Sequence, residues 1–298
     1  MTPDISEFTY GFALTNELVG WMALSAVPIF PSLIEEGKSD GGYDVAFDRP
    51  GTPLYLQFKR SHVMKMSSAH EIKNLKLPLS IPFHRFAITE RNRSLQHLSL
   101  VNLDNGVNDV LYAAPRFHTR EGINAAWTDQ RVADRSIFIS PADIGVIHDD
   151  LRHTISFDRT SAYFCSEPRR IEPISIERLR SRLTEKLQRD DRPVRLKLEE
   201  WLQDLRIAAQ RAQDALLDLE GPAPPAIDRP RRQAADLPRR EIVSPAESPI
   251  NEGAPAGEAQ PMAIRGAKTL DQDTALLRAL SDEAQGQFNA QFIVVQPI

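Results

Sequence analysis

The sequence contains a single cysteine, Cys165, among 298 residues, and this excludes an internal disulfide. It does not open with the basic, apolar and small-residue segments of a signal peptide, and it has no run of about 18 apolar residues. It also lacks the Gly-Lys-Ser/Thr loop that cradles nucleotide phosphates, so an energy-driven step would require another protein. These absences predict a cytoplasmic protein that does not contact membranes.

A strong positive charge is also missing. The formal net charge is −5, which argues against a general polyanion binder. The balance reverses locally, because 10 lysines and arginines stand against 5 acids between Lys38 and Arg93. That excess would attract phosphate, although an ordinary fluctuation of surface charge explains it equally well.

Aromatic residues are almost absent from segment 221–266, whose Pro, Ala, Glu and Arg content predicts a disordered linker. Before it, segment 174–220 predicts a helical extension of two charged helices broken at Pro193. The apolar stripe of the second helix needs a partner, either its own domain or another chain. After the linker, segment 267–298 predicts a short helix and a strand. The rest, 1–173, predicts one α/β domain.

Apolar spacing predicts the elements of that domain. A buried helix is expected over 6–26, followed by two strands, 43–47 and 54–58, joined by a tight turn at Pro50-Gly51. Further strands are expected at 83–89, 109–114, 136–140, 153–157 and 162–165. Helices are expected from Ser68 to before Pro78, at 94–103 and at 120–133. The order is that of a mixed α/β fold.

The predicted hairpin carries an unusual polar set. If Arg49 faces Thr52 across the turn, Asp44 stands opposite Gln57, and alternation puts both on the same face as Lys59. Side chains directly opposed in this way are about 5 Å apart at Cβ, close enough to share one ion. The hairpin therefore predicts an acid, an amide and an amine in one place.

The first helix adds an isolated acid. Glu17 lies in an apolar stripe with Tyr10, Leu14 and Trp21, where an unpaired carboxylate would cost several kcal/mol. It needs a cation, a hydrogen-bond donor or water. A structural salt bridge would satisfy it as well as a functional ion.

Together these groups suit phosphodiester hydrolysis, which needs an ion to activate water and positive charge beside the phosphoryl oxygens. Mg²⁺ fits because it prefers oxygen ligands and keeps several waters, and Mn²⁺ is an alternative ion. Lys59 would polarise the attacking water or the scissile phosphate.

The constellation resembles the PD-(D/E)xK nuclease superfamily, and within it Mrr-like restriction enzymes and bacterial antiviral effectors. The resemblance rests on Glu17, on Gly42-Tyr43-Asp44-Val45 and on Leu56-Gln57-Phe58-Lys59, and it covers about 8–114. It implies a restriction-endonuclease-like core, a central mixed sheet flanked by helices. It further implies Asp44, Gln57 and Glu17 as metal ligands and Lys59 as the catalytic lysine. The sequence departs from the pattern because no proline precedes Asp44 and because Gln57 replaces the usual acid. Asp40 and Asp48 are alternative ligands.

The resemblance implies a Mg²⁺-dependent DNA endonuclease, the effector of a bacterial antiviral defence or restriction system, working with an ATPase or sensor partner. A homo-oligomer with two-fold symmetry would help double-strand cleavage, and the sequence leaves the oligomeric state open. The sequence leaves DNA and RNA open as substrates. Gln57 favours a second hypothesis, a catalytically inactive nuclease fold that binds nucleic acid or scaffolds a complex. A third is a pure assembly protein that acts through 174–220.

Overall fold

A computed structural model describes residues 2–20, 24–29, 45–220 and 261–298, without the side chains of 25, 26, 218–220 and 261–270. The helices are α1 Glu7–Val19, α2 His70–Lys73, α3 Gln96–Leu103, α4 Arg120–Thr128, α5 Pro141–Ile144, α6 Ile176–Arg189, α7 Leu198–Glu220 and α8 Pro261–Phe288. The strands are β1 Leu24–Ile29, β2 Thr52–Phe58, β3 His62–Met64, β4 Phe83–Ile88, β5 Asp109–Pro115, β6 Ser136–Ile139, β7 His153–Phe157, β8 Ala162–Phe164, β9 Arg169–Ile171 and β10 Gln291–Pro297.

Two five-stranded sheets form the architecture. The central sheet has the order β1-β10-β2-β5-β6, in which β2 and β5 are parallel and the other neighbours are antiparallel. The second sheet, β3-β4-β7-β8-β9, is antiparallel throughout. The described chain is thus a mixed α/β fold, as the sequence predicts at that level.

The two faces of the central sheet are buried in different cores. Leu54 and Leu56 of β2 pack with α1, α4 and α6 on one face. Tyr55 of β2 packs on the other face with α3, α5, α7, α8 and the second sheet. Since strand residues alternate between faces, Gln57 and Lys59 belong to the Tyr55 side. The distinction decides which side chains of the candidate site can meet.

The first predicted helix is too long. α1 begins after Ser6, whose hydroxyl accepts the Thr9 N–H at 2.9 Å, as expected for an N-cap. It ends at Val19, and the segment predicted to continue it as far as residue 26 contributes to β1, which pairs with β10. A partner strand from the far end of the chain thus overrides the helical apolar spacing.

The predicted hairpin is wrong. Both edges of β2 are occupied, one by β10 and the other by β5, so β2 has no free edge for segment 43–47. Residues 45–49 are not a strand, and their backbone is held elsewhere: Val194 N–H donates to the Arg49 carbonyl at 2.9 Å, and Arg195 N–H to the Phe47 carbonyl at 3.1 Å. Tyr43 and Asp44 lie outside the described residues.

The C-terminal segments belong to the same fold as the N-terminal ones. β10, predicted as a terminal strand, lies between β1 and β2 in the central sheet. The apolar stripe of α7, including Trp201 and Leu205, is buried in the core beneath that sheet, and α6 is buried on the other face. The boundary predicted at residue 173 therefore does not separate packing units. Of the predicted linker, 221–260 lie outside the described residues, and 261–266 lie in α8.

The remaining strand predictions agree with β4, β5, β6 and the β7–β8 hairpin to within about two residues. Predicted helices 94–103 and 120–133 correspond to α3 and α4, the second being shorter than expected. Within the described ranges, no helix has the length and apolar content needed to span a bilayer.

Candidate functional site

The candidate site lies at the carboxyl end of β2. Gln57 pairs in register with Tyr112 of the parallel strand β5, and Lys59 continues the ladder by donating its N–H to the Ala113 carbonyl at 2.9 Å. Gln57 and Lys59 are two residues apart, so their side chains share one face and their Cα atoms are about 7 Å apart. The Lys59 Nζ lies over the ring of Tyr112, the residue paired with Gln57, which agrees with this placement.

Gln57 is fully buried, and neither its Oε1 nor its Nε2 atom has a hydrogen-bond partner within the described ranges. Ser61, just beyond the strand, is also buried with its hydroxyl unpaired in the same part of the chain. A buried polar group without a partner costs about 1 to 3 kcal/mol, and native structures contain few. The carboxyl end of β2 thus holds buried polar atoms that have no partner among the described residues.

Lys59 is the cation of the site. Its side chain is 8% exposed, and no carboxylate of residues 2–20, 24–29, 45–217 or 271–298 forms an ion pair with it. Burial lowers the pKa of the ammonium group to about 8, and the charge of Glu7 on α1 opposes this shift. Its Nζ lies 5.3 Å from the centre of the Tyr112 ring, a cation–π contact.

Tyr112 is oriented by a short hydrogen-bonded chain. His97 of α3 contacts the Tyr112 hydroxyl through Nδ1 and the Gly145 carbonyl through Nε2, both at 2.8 Å. A carbonyl only accepts, so Nε2 carries the proton. Burial lowers the pKa of His97 to about 4, which leaves Nδ1 unprotonated to accept from the Tyr112 O–H. The ring beneath Lys59 is thereby fixed. Sequence analysis did not identify Tyr112 or His97, because only the tertiary fold brings α3 to β5.

Glu17 lies on the other side of the central sheet. Its carboxylate accepts the N–H groups of Val132 at 2.6 Å and Ala133 at 3.2 Å, in the turn between α4 and β6. Burial raises the pKa of this carboxyl group, and the two N–H donors oppose the shift. α1 packs against the Leu56 face of β2, so the sheet separates Glu17 from Gln57 and Lys59. The acid is satisfied structurally by backbone donors, and the fold does not bring it to the Lys59 side.

The predicted acids of the site are placed as follows. Asp44 and the alternative ligand Asp40 lie outside the described residues. Asp48, the other alternative, forms an ion pair with Arg195 at 2.7 Å. The described ranges contain no group of three or more His, Cys, Asp or Glu side chains arranged to hold a metal. Among the described residues, Gln57 Oε1 is an unpaired amide oxygen on the same side of the sheet as Lys59. Mg²⁺ prefers oxygen ligands, so this atom is a candidate ligand.

Comparison with protein-family models, with curated proteins and with solved structures gives no match for this chain.

Proposed function

We propose that the protein is a metal-dependent endonuclease that hydrolyses phosphodiester bonds of DNA at the carboxyl end of β2. The observation that carries the proposal is the pairing of Lys59, a buried ammonium without a described counter-ion, with Gln57, a buried amide without a described hydrogen-bond partner. Among the described residues, no ion pair is made to Lys59 and no hydrogen bond to the Gln57 side chain. A phosphate and a hydrated divalent ion would satisfy the two together.

The strand order supports a restriction-endonuclease-like core as part of this proposal. α1 packs on β2, and the chain after β2 crosses over through α3 to return as the parallel neighbour β5. The motif residues Gln57 and Lys59 stand at the carboxyl end of β2, where ligands of open α/β sheets commonly bind. The antiparallel neighbour of β2 is β10, from the C-terminus, and not the hairpin strand that the sequence predicts.

Mg²⁺ would be held by Gln57 Oε1 together with the carboxylate of Asp44, a ligand that the family resemblance implies and that lies outside the described residues, and Mn²⁺ is the natural substitute. One amide oxygen and one carboxylate suffice because Mg²⁺ retains several waters. A bound ion supplies an activated water and neutralises phosphoryl oxygens. Glu17 is left out of the ligand set because Val132 and Ala133 already use its carboxylate.

Lys59 would place a positive charge beside the phosphoryl group. Its pKa of about 8 keeps it mostly protonated at neutral pH, while burial strengthens its interaction with a nearby anion. The Tyr112 ring, fixed by His97, limits where the ammonium group can move. A role as effector of a bacterial antiviral defence or restriction system, with an ATPase or sensor partner, belongs to the same proposal and rests on the family resemblance alone.

The test is cleavage of supercoiled plasmid with Mg²⁺ or Mn²⁺, using wild type, Lys59→Ala, Gln57→Ala and the exposed lysine variant Lys73→Ala as matched control. Loss of Lys59 should lower the rate by about 100-fold or more, since it removes charge stabilisation at the reacting group. Lys73→Ala should cut like wild type. A parallel arm with single-stranded RNA decides between the two substrates. Wild-type protein that leaves DNA and RNA intact with either ion, with its partner present, contradicts the proposal.

A second candidate is a nuclease fold that binds nucleic acid without cutting it. It is favoured by the neutral Gln57 at the position of the usual acid, and by the lack of a described acid paired with Lys59. In that case wild type and Lys59→Ala would be equally inert toward plasmid, while the wild type would still bind DNA. The third hypothesis, an assembly protein that acts through 174–220, is not favoured. The apolar stripes of α6 and α7 that would bind a partner are buried within this chain.

A further inference from the structure

A hydrogen-bonded chain joins a serine, a histidine and an aspartate at the second sheet. His153, the first residue of β7, contacts the Ser166 hydroxyl through Nδ1 at 2.8 Å and the Asp149 carboxylate through Nε2 at 2.6 Å. Ser166 lies in the turn between β8 and β9, and Asp149 lies in the loop between α5 and β7. A hydroxyl, an imidazole and a carboxylate are thus in direct contact outside the site at the end of β2.

The contacts of the His153 ring determine where its proton lies. The hydrogen bond from His153 is the largest of the effects that lower the pKa of Asp149, so Asp149 is a carboxylate at neutral pH. A carboxylate only accepts hydrogen bonds, and Nε2 therefore carries the proton. Nδ1 is left with a lone pair, which accepts from the Ser166 O–H. This is the arrangement of a general base beside the nucleophile that it activates.

The base is held in place while the nucleophile is open to the surface. The His153 side chain is buried, and its ring stacks on that of Phe164 with 5.3 Å between centroids and 15° between planes. The Asp149 oxygen that accepts from His153 also accepts the Leu151 N–H at 2.9 Å, which orients the carboxylate. Ser166 is exposed. A substrate can therefore reach the hydroxyl without movement of the base.

We propose that Ser166 is the nucleophile of a second catalytic site, one that hydrolyses small carboxylic esters, with His153 as general base and Asp149 as the residue that positions it. The ring nitrogens have the reverse of their usual roles in a Ser-His-Asp triad, where Nε2 is the base, but either nitrogen can hold the lone pair. An ester is the substrate class that fits, because a surface turn supplies little binding energy for the slower cleavage of an amide.

The reaction needs only the ester and water. Ser166 Oγ bonds to the carbonyl carbon while its proton passes to His153 Nδ1, and the Asp149 carboxylate stabilises the imidazolium. His153 then gives the proton to the departing alkoxide as the ester C–O bond breaks. Water, deprotonated by His153, attacks the acyl-serine, releases the carboxylic acid and restores Ser166. No divalent ion or nucleic acid takes part, so this site is independent of the proposed nuclease.

The test combines labelling by a fluorophosphonate probe with hydrolysis of p-nitrophenyl acetate, both in EDTA. Mass spectrometry should map the adduct to Ser166, and Ser166→Ala should lose both the adduct and the hydrolysis. The matched control is Ser181→Ala, an exposed serine of α6, which should behave like wild type. His153→Gln should slow labelling by about 100-fold or more, since it removes the base. Asp149→Asn should slow it less, because the Asp149 side chain is 51% exposed and its charge is screened by water.

Wild type that forms no adduct at Ser166, or that hydrolyses the ester no faster than Ser166→Ala, would overturn the proposal. The hydrogen bonds would then serve only to fasten the β8–β9 turn to the preceding loop. An adduct that forms at the wild-type rate in both His153→Gln and Asp149→Asn would also overturn it. Ser166→Ala and Asp149→Asn alter side chains that reach the surface, so the test does not depend on the folding of the buried His153 variant.

Discussion

The two ends of the parallel pair β2–β5 differ in whether the buried charge has an ion-pair partner among the described residues. At the amino end of β5, Asp109 is 1% exposed and forms two ion pairs with α6, to Arg182 and to Lys186, both at 2.7 Å. At the carboxyl end of β2, Gln57, Lys59 and Ser61 are buried without ion-pair or hydrogen-bond partners for their side chains within the described ranges.

This contrast separates a buried charge that the fold neutralises from one that has no counter-ion among the described residues. Where the fold needs a buried acid, as at Asp109, the cations are supplied by a helix that packs on the same sheet. Among the described residues, no acid forms an ion pair with Lys59, although the charge of Glu7 is close enough to influence the Lys59 pKa. Buried groups that a protein leaves unsatisfied are candidates for a binding or catalytic role.

The largest loss of stability is expected at the amino end of β5, where Asp109 is ion-paired. Asp109→Ala leaves Arg182 and Lys186 without their shared counter-ion and should lower the free energy of unfolding by roughly 3 kcal/mol. Urea denaturation measures it. The control is Asp129→Ala, which removes a surface pair with Arg135 and should cost less than about 1 kcal/mol. Equal, small losses for both variants would mean that the amino end is not a closed ion-pair network.

At the carboxyl end of β2, removing the buried charge is expected to raise the free energy of unfolding. Lys59→Met removes a charge whose burial is unfavourable, so it should stabilise the protein at pH 7 by about 3 kcal/mol, the value of the shift from 10.5 to about 8. Between those two pH values the unfolded chain holds a proton that the folded chain has released. Wild-type stability should therefore gain on the variant as pH rises through this window.

Chemical denaturation at pH 7 and near pH 10 tests this prediction. The difference between wild type and Lys59→Met should shrink as pH rises, and an exposed variant, Lys73→Met, should show no such trend. A difference that is constant over the window would show that Lys59 is solvated and ordinary, and the contrast between the two ends would fail.

A smaller effect is expected at Glu17. Glu17→Ala leaves the Val132 and Ala133 N–H groups without an acceptor and should cost about 2 kcal/mol. Glu17→Gln keeps one oxygen and should cost less. Cleavage per folded molecule should be unchanged in Glu17→Gln. A loss of cleavage as large as that of Lys59→Ala would place Glu17 in the reaction after all.

Part of this fold follows from local sequence. The alternating strands at 54–58, 83–89, 109–114 and 153–157 are recognisable because an apolar alternation bounded by turns has few other solutions. β1 cannot be recognised from local sequence, since its apolar residues also fit the end of a helix. Its pairing with β10 joins residues more than 260 positions apart, as in Ile29 and Phe292, and no local pattern encodes such a contact.

Local sequence also predicts only part of the candidate site. Alternation alone places Gln57 and Lys59 on one face, and the structure agrees. The Pro50-Gly51 pair is typical of a hairpin turn, but Gly51 instead allows close approach of Val194, whose Cγ2 occupies the space that a Cβ on residue 51 would need. Without the hairpin, the prediction that Asp44 lies beside Gln57 rests on the family resemblance alone, and Asp44 lies outside the described residues.

By itself the sequence determined a mixed α/β chain, the strand that carries Gln57 and Lys59, and the chemical character of those two side chains. These follow from periodicities of two and 3.6 residues and from the ionisation of single groups. Only the tertiary structure decided that β10 completes the sheet, that Glu17 lies across the sheet from Lys59, and that Ser166 meets His153. Those arrangements depend on which distant segments pack together, and the free energy that selects them is shared among many residues and is not readable at any one of them.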